Sequence, residues 1–256
     1  MIGIFITARL GSTRLQRKHL IPVQGKTMIE WLVLRYKSFF ENELSGGDVK
    51  IFLTTSEKEE NKEFTGLLEQ YGVKVFFGQD TNIPKRYYDC AKEYAIDYFI
   101  VVDGDDILCS AYGSYQLYQF ILENNNYDIL KVEGLPIGLN SSAFKTSYLE
   151  ECLKKYQNEN LEVGWSRIFT APKTKLIKLG NYDIQGDLRF TLDYEDDARF
   201  FKLIISYFGE KIVNLSDLEL IDTVVSQKFD QINSHLSREY WVNYTNELKK
   251  QIENNG

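Results

Sequence analysis

The segment Ile2–Leu20 reads IGIFITARLGSTRLQRKHL. Its first part, Ile2–Thr7, is almost wholly apolar, which is typical of a parallel strand that is covered on both faces. Its second part, Ala8–Lys18, is a basic loop that contains one glycine. In α/β folds, ligands bind where the chain leaves the carboxyl end of such a strand. The segment therefore predicts an α/β fold with an anion-binding site at the end of its first strand.

The residue types in this loop suit the recognition of phosphate groups. Gly11 lets the backbone approach an anion closely, and the Ser12 hydroxyl adds a donor. Arg9 and Arg14 can each place a guanidinium fork on phosphate oxygens, while Lys18 adds a compact charge. A solvated basic loop is the alternative interpretation. The position of the loop after the first strand and its lack of acidic residues favour phosphate binding.

Composition and charge narrow the class of protein. The chain has 256 residues, of which 43% are hydrophobic, enough for one large folded domain. The net charge of −7 makes nucleic acid a poor candidate partner. No signal peptide and no apolar stretch of membrane-spanning length are visible, so we expect no membrane insertion. The three cysteines are widely spaced and form no CxxC pair, as expected for a protein of the reducing cytoplasm.

Strands and helices alternate along the first half of the chain. Apolar runs predict strands, and helical spacing of apolar residues predicts the segments between them. This alternation indicates a mostly parallel sheet flanked by helices. The predicted strands are Ile2–Thr7, Val49–Leu53, Val73–Phe77 and Tyr98–Val102, and the predicted helices are Met28–Phe39, Glu57–Tyr71 and Pro84–Tyr94.

The second half of the chain is less regular. A small β excursion is expected within residues 135–185, including the strand-like pieces Arg167–Thr170 and Leu176–Leu179. Arg189–Leu192 reads as a further strand, and residues 236–256 as a carboxy-terminal helix. Neither a linker nor an internal repeat divides the sequence, so residues 1–256 are predicted to form a single domain.

Acidic residues follow two of the predicted strands. Asp103-Gly104-Asp105-Asp106 comes directly after Tyr98–Val102, and Asp193 follows Arg189–Leu192. Carboxylates at the carboxyl ends of strands can share the crevice with the basic loop, and hard oxygen ligands there suit Mg²⁺. A turn in which an aspartate caps the next helix is the alternative interpretation.

These motifs together resemble the cytidylyltransferase family that includes spore-coat polysaccharide-type enzymes and the CMP-sialate and CMP-Kdo synthetases. The resemblance covers roughly residues 1–210, in the family's order, and the amino-terminal block is its most specific part. The matching segments are Ala8–Leu20, Gly25–Trp31, Phe77-Gly78, Arg86-Tyr87-Tyr88, Gly104-Asp105, Pro136–Leu139 and Arg189–Asp193.

The resemblance implies a Rossmann-like domain that binds CTP and a sugar-like acceptor. Arg14 and Lys18 would act on the triphosphate during catalysis, Asp105 and Asp193 would bind Mg²⁺, and the enzyme could form a homodimer. The nucleotide contacts that it implies are Ala8, Arg9, Gly11, Ser12, Arg14, Lys18, Arg86 and Asp103, and the substrate contacts are Gly138, Leu139 and Arg189.

The sequence departs from the family at several positions. Gln16 and Ile107 stand where the family usually has proline, and Asp103 stands where it has an amide or hydroxyl residue. Two other functions therefore stay open. In a GT-A-type glycosyltransferase, Asp103-Gly104-Asp105 would be a DxD motif that holds a metal and a nucleotide-sugar, but the basic loop would be unexplained. In a non-catalytic relative, the fold and nucleotide binding would persist without turnover.

Overall fold

A computed structural model describes residues 1–156 and 160–254, with Asn254 described by its backbone alone. Residues 157–159 of the predicted excursion, and residues 255 and 256 of the predicted terminal helix, lie outside this part. The strands are β1 (Ile2–Thr7), β2 (Pro22–Val23), β3 (Lys26–Thr27), β4 (Val49–Ser56), β5 (Lys74–Gly78), β6 (Tyr98–Asp103), β7 (Ile129–Glu133), β8 (Ser142–Lys145) and β9 (Thr174–Lys178).

The main sheet has the strand order β5-β4-β1-β6-β8-β7-β9. Strand β8 runs antiparallel to β6 and β7, and the other neighbouring pairs are parallel. β2 and β3 form a separate antiparallel pair. The predicted α/β fold with a mostly parallel sheet is therefore confirmed. Its carboxyl edge, where β1 and β6 end side by side, is the expected place for a ligand.

Helices cover both faces of this sheet. Successive side chains of a strand point to opposite faces, and in the central strands the side chains on both faces are apolar. Within β1, Ile4 and Ile6 pack into one core cluster and Phe5 into the other. The helices are α1 (Met28–Phe39), α2 (Glu41–Gly46), α3 (Glu63–Leu68), α4 (Ile83–Glu93), α5 (Ala111–Glu123), α6 (Thr146–Leu153), α7 (Glu195–Phe208), α8 (Asp217–Ser226) and α9 (Leu236–Asn254). None of the helices in the described residues is both long and apolar enough to cross a membrane.

The predicted β excursion is part of the main sheet. Two of its segments, Ser142–Lys145 and Thr174–Lys178, are the strands β8 and β9. The predicted strand Arg167–Thr170 is wrong, because a 3-10 helix covers Trp165–Ile168 there and buries Ile168.

The predicted strand Arg189–Leu192 is also replaced by irregular backbone. Its backbone bonds go to two different partners, since Phe190 N donates to Ile137 O at 2.9 Å and Leu192 N donates to Asp105 O at 2.9 Å. One bridge, between Ile137 and Arg189, is formed in place of a ladder. This arrangement carries the chain from the sheet directly to the aspartate-rich turn after β6.

Candidate active site

A cavity of about 510 Å³ opens at the carboxyl ends of β1 and β6. It brings together the basic loop, the acidic turn after β6 and the start of the segment after Pro136, which are far apart in the sequence. Its lining includes Thr7, Ala8, Arg9, Ser12, Thr13, Arg14, Lys18, Arg86, Asp103, Asp105, Asp106, Gly138 and Thr191.

Lys18 lies at the centre of this cavity's charged groups. Its Nζ is 2.8 Å from Asp105 Oδ2 and 3.0 Å from Asp193 Oδ1, and its side chain is 8% exposed. Arg14 Nη2 is 3.0 Å from the same Asp193 oxygen. The basic loop, the acidic turn after β6 and Asp193, which are separate motifs in the sequence, therefore meet at one point. In the sequence, 175 residues separate Lys18 from Asp193.

The backbone around the basic loop holds these charges in place. Leu10 N donates to Asn61 Oδ1 at 2.8 Å, and Leu15 N donates to Ser12 Oγ at 3.4 Å. Gly104 packs so closely on β1 that an added Cβ would lie 2.6 Å from Thr7 O. A side chain at position 104 would therefore push the acidic turn away from the basic loop.

Burial and mutual repulsion set the charge of the acidic turn. Asp103 is exposed to the cavity, but nearby protein limits the solvation of its carboxylate, and this desolvation, with the charge of Asp105, raises the pKa of Asp103 to about 7. Burial and the same repulsion raise the pKa of Asp106 well above its ordinary value. For Asp105, burial acts in the same direction, but the Lys18 ammonium outweighs it and lowers the pKa. The cavity thus has more carboxylate groups than its cations neutralise.

Arg189 binds Asp193 and Asp197 from outside the cavity. Its side chain is fully buried, and its Nε and Nη2 donate to both oxygens of Asp197 at 2.9 and 3.0 Å. Nη2 also lies 3.1 Å from Asp193 Oδ2. Arg189 was predicted to contact the substrate, but the structure places its side chain behind Asp193, outside the cavity lining. Its contacts fit it to orient Asp193.

Of the other predicted contacts, some line the cavity and others do not. Arg86 lines the cavity, but its guanidinium donates to the carbonyl oxygens of Gln79 and Asp80 at 2.7–2.9 Å. Gly138 also lines it, whereas Leu139 is fully buried in the core. Gly11 is absent from the described lining, and an added Cβ there would lie 2.8 Å from a Glu60 oxygen.

The structure adds a wall that the sequence motifs do not identify. Helix α9 contributes Tyr240, Trp241, Tyr244 and Glu247 to the cavity. Gln251 fastens this helix by accepting hydrogen bonds from the backbone N of residues 162 and 163 at 3.0 and 2.7 Å. The sequence signal for this wall is the row of aromatic residues on one face of the terminal helix, because an apolar helix face normally packs against another surface.

His19 is buried beside Lys18 and gives a testable pH dependence. Its Nδ1 donates to Gly104 O at 3.1 Å, and burial together with the Lys18 charge lowers the pKa of His19 to about 4. In the unfolded chain the pKa is about 6.5, so between these values the unfolded state binds the extra proton. Relative to a His19→Asn variant, the parent should lose about 3 kcal/mol of unfolding free energy as the pH falls through this window.

Urea denaturation of both proteins across that pH range measures the effect. The comparison uses the difference between parent and variant because Asp103 titrates in the same range with the opposite effect on stability. Parallel pH profiles for the two proteins would show that His19 titrates normally in the folded state.

The donor set offers partial support for a divalent cation. The carboxylates of Asp103 and Asp105 are hard oxygen ligands of the type that Mg²⁺ accepts, although one oxygen of Asp105 is bound by Lys18. Both oxygens of Asp193, however, are already engaged by Arg14, Lys18 and Arg189. No three Asp, Glu, His or Cys side chains of residues 1–156 and 160–254 form a ready metal site. Asp193 could reach a cation only if Lys18 released it.

Comparisons with known proteins bear on the family and the fold of the chain. A family model described as cytidylyltransferase matches residues 3–185. An uncharacterized protein of Methanocaldococcus jannaschii, MJ1063, is 27% identical over 92% of this chain and 95% of its own length. The structure of a cytidylyltransferase from Leptospira borgpetersenii is 26% identical, with a TM-score of 0.74 over 90% of this chain and 95% of that one.

A more distant structure shares the fold. The synthetase for CMP:2-keto-3-deoxy-manno-octonic acid, solved in complex with CTP, is 13% identical with a TM-score of 0.55, over 80% of this chain and 98% of that one. The family model spans well over half of this chain, including β1, the basic loop and the acidic turn. The chain therefore belongs to the cytidylyltransferase family.

Proposed function

We propose that the protein transfers CMP from CTP to a sugar, a sugar acid or a sugar or polyol phosphate, with release of pyrophosphate. The observation that carries this proposal is the position of Lys18, between Asp105 and Asp193 in a cavity lined by the basic loop. The activated sugar would serve as a precursor for surface glycans. That the enzyme forms a homodimer stays a prediction from the family resemblance.

In the proposed reaction, an oxygen of the acceptor attacks the α-phosphorus of CTP. A new oxygen–phosphorus bond forms, and the bond between the α-phosphorus and the bridging oxygen to the β-phosphate breaks. Where the attacking oxygen belongs to a hydroxyl group, its proton passes to solvent. Arg14 and Lys18 would neutralise the charge that develops on the leaving pyrophosphate. Arg189 would keep Asp193, and through it both cations, in position.

Mg²⁺ is proposed as the cofactor, with Asp105 and Asp193 as its ligands and Asp103 beside them. When bound, it would neutralise phosphate charge and orient the triphosphate. Lys18 would then turn from the two aspartates towards the phosphates. This exchange would leave each anion with a cation beside it, because Mg²⁺ would take the place of Lys18 at Asp105 and Asp193.

Pyrophosphate release in a matrix of nucleotides and acceptors tests the proposal. CTP, UTP, ATP and GTP are each combined with sugar acids, sugar phosphates, polyol phosphates and neutral sugars in the presence of Mg²⁺. We expect pyrophosphate only with CTP and a suitable acceptor, together with a product whose mass equals the acceptor plus CMP.

Two results would contradict it. A glycosyltransferase would release no pyrophosphate in this matrix and would consume a nucleotide-sugar when one is supplied in place of the triphosphate. A non-catalytic relative would bind CTP and release no pyrophosphate with any acceptor in the matrix.

A further inference from the structure

A second cavity of about 420 Å³ adjoins the first one. The two share a boundary at Arg14, Asp103, Glu162, Tyr244 and Glu247. If the first cavity holds the nucleotide, the second is where the acceptor can reach the α-phosphorus. We call it the acceptor chamber.

The far part of the acceptor chamber, which the first cavity does not share, has a different charge from the boundary. Lys131 is the one charged residue that the described structure places there, and Ser142 and Ser166 line the same part. At the boundary, Asp103, Glu162 and Glu247 lie together with Arg14, and Glu162 is paired with Arg9. In the far part, by contrast, the one charged group that the described structure shows is a cation, which attracts an anion.

The sheet register fixes Lys131 on the chamber side. Lys131 pairs with Ser142 across β7 and β8, and Ser142 pairs with Val101 across β8 and β6. Paired residues point to the same face of a sheet, and Asp103, two residues after Val101, points there too. Lys131 and Asp103 therefore project from one face of the sheet, near its carboxyl edge.

Lys131 has no competing partner in the described part of the chain. No ion pair, side-chain hydrogen bond or ring contact of its ammonium group is formed there, although the residue is partly buried. By contrast, Arg14 at the boundary is bound to Asp193 and Arg9 is paired with Glu162. A lysine without a counterion in a concave site that hydroxyl groups also line is suited to bind an oxyanion.

Aromatic side chains form one wall of this far part. The Trp165 ring lies 5.2 Å from that of Phe144 and 5.4 Å from that of Tyr87, measured between centroids. Helix α9 lines another side of the chamber, and its Leu248 packs against Gly164. Lys131 therefore lies in a concave site with aromatic and hydroxyl-bearing side chains around it.

We propose that Lys131 binds an oxyanion of the acceptor, so that the protein selects acceptors that carry a carboxylate or a phosphate and rejects neutral sugars. This inference rests on the proposed function, because it takes the second cavity as the acceptor side of CMP transfer. It adds to that function the class of the acceptor and the residue that recognises it.

Binding of three probes to the parent and two variants tests the assignment. The protein is first saturated with a non-hydrolysable CTP analogue and then titrated calorimetrically with N-acetylneuraminate, ribitol 5-phosphate or neutral N-acetylmannosamine. Lys131→Met keeps the aliphatic stem and removes the charge. Lys175→Met is the matched control, because Lys175 pairs with Leu130 on the neighbouring strand, so its side chain points to the opposite face.

We expect at least one anion to bind the parent and Lys175→Met equally, and to bind Lys131→Met roughly 10- to 100-fold more weakly, as for a lost charge-assisted hydrogen bond. The anion that binds identifies the carboxylate or the phosphate. Lys131→Arg should restore most of the affinity. Equal binding by parent and Lys131→Met, preferential binding of the neutral sugar, or the absence of Lys131-dependent binding for both anions would overturn the proposal.

The first step of each titration separates this inference from the proposed function. If the CTP analogue fails to bind, the proposed function fails whatever the anions do. If the analogue binds and Lys131→Met behaves as the parent does, the assignment of Lys131 alone fails.

Discussion

Replacing Lys18 with alanine is expected to lower the rate of CTP turnover by about 100- to 1,000-fold. The ammonium group lies within hydrogen-bond distance of both Asp105 and Asp193, and no other lysine lines the first cavity among the described residues. Its loss removes a cation from the leaving pyrophosphate and leaves two neighbouring carboxylates without their shared partner. Steady-state kinetics with a saturating acceptor measures the change in kcat.

Arg17→Ala is the matched control for this experiment. Arg17 belongs to the same loop and carries the same charge, but it pairs with Glu63 at the surface, where both side chains are about half exposed. We expect its kcat to stay within about twofold of the parent, because exposed ion pairs contribute little. A Lys18→Ala enzyme that is folded, as judged by circular dichroism, and turns over CTP at the parental rate would remove Lys18 from the mechanism.

Replacing Arg189 with methionine is expected to lower the free energy of unfolding by about 3–5 kcal/mol. The guanidinium is fully buried, and its removal leaves Asp193 and Asp197 without their shared buried cation. Asn233 can still donate to Asp197 at 2.9 Å, but it brings no charge. Urea denaturation at neutral pH measures the change.

Two further variants show whether the loss of stability in Arg189→Met comes from removing this buried charge. Arg199→Met removes an arginine of α7 that is 74% exposed and paired with Asp196, and should change stability by less than about 0.5 kcal/mol. Arg189→Lys should fall between the parent and Arg189→Met, since a lysine keeps the charge and loses the fork. An Arg189→Met protein within about 1 kcal/mol of the parent would show that Asp193 and Asp197 do not depend on this cation.

The first half of the fold was predictable because local and long-range requirements agree there. β1 and β6 are apolar on both sides, and the helices between the parallel strands show clear apolar spacing. The basic loop was recognisable because it follows the first strand directly. The convergence of Lys18 with Asp105 then follows from the topology, which ends β1 and β6 side by side, whereas Asp193 is brought there by the bond from Leu192 N to Asp105 O.

The second half was less predictable because tertiary contacts decide its structure. Arg189–Leu192 has the composition of a strand, but Ile137 and Asp105 each take one of its backbone bonds. The role of Arg189 followed from burial, which the sequence does not show. Helix α9 was predicted as a helix, while its place over the cavity depends on Gln251 and a backbone segment 88 residues earlier.

A crystal structure with bound CTP tests the central claim most directly. We predict density for CTP in the first cavity, with the triphosphate against Ser12, Arg14 and Lys18 and the α-phosphorus facing Asp103 and the acceptor chamber. Lys18 Nζ should then contact a phosphate oxygen. A nucleotide bound elsewhere, or one whose triphosphate points away from the basic loop while Lys18 still bridges Asp105 and Asp193, would contradict the proposed site.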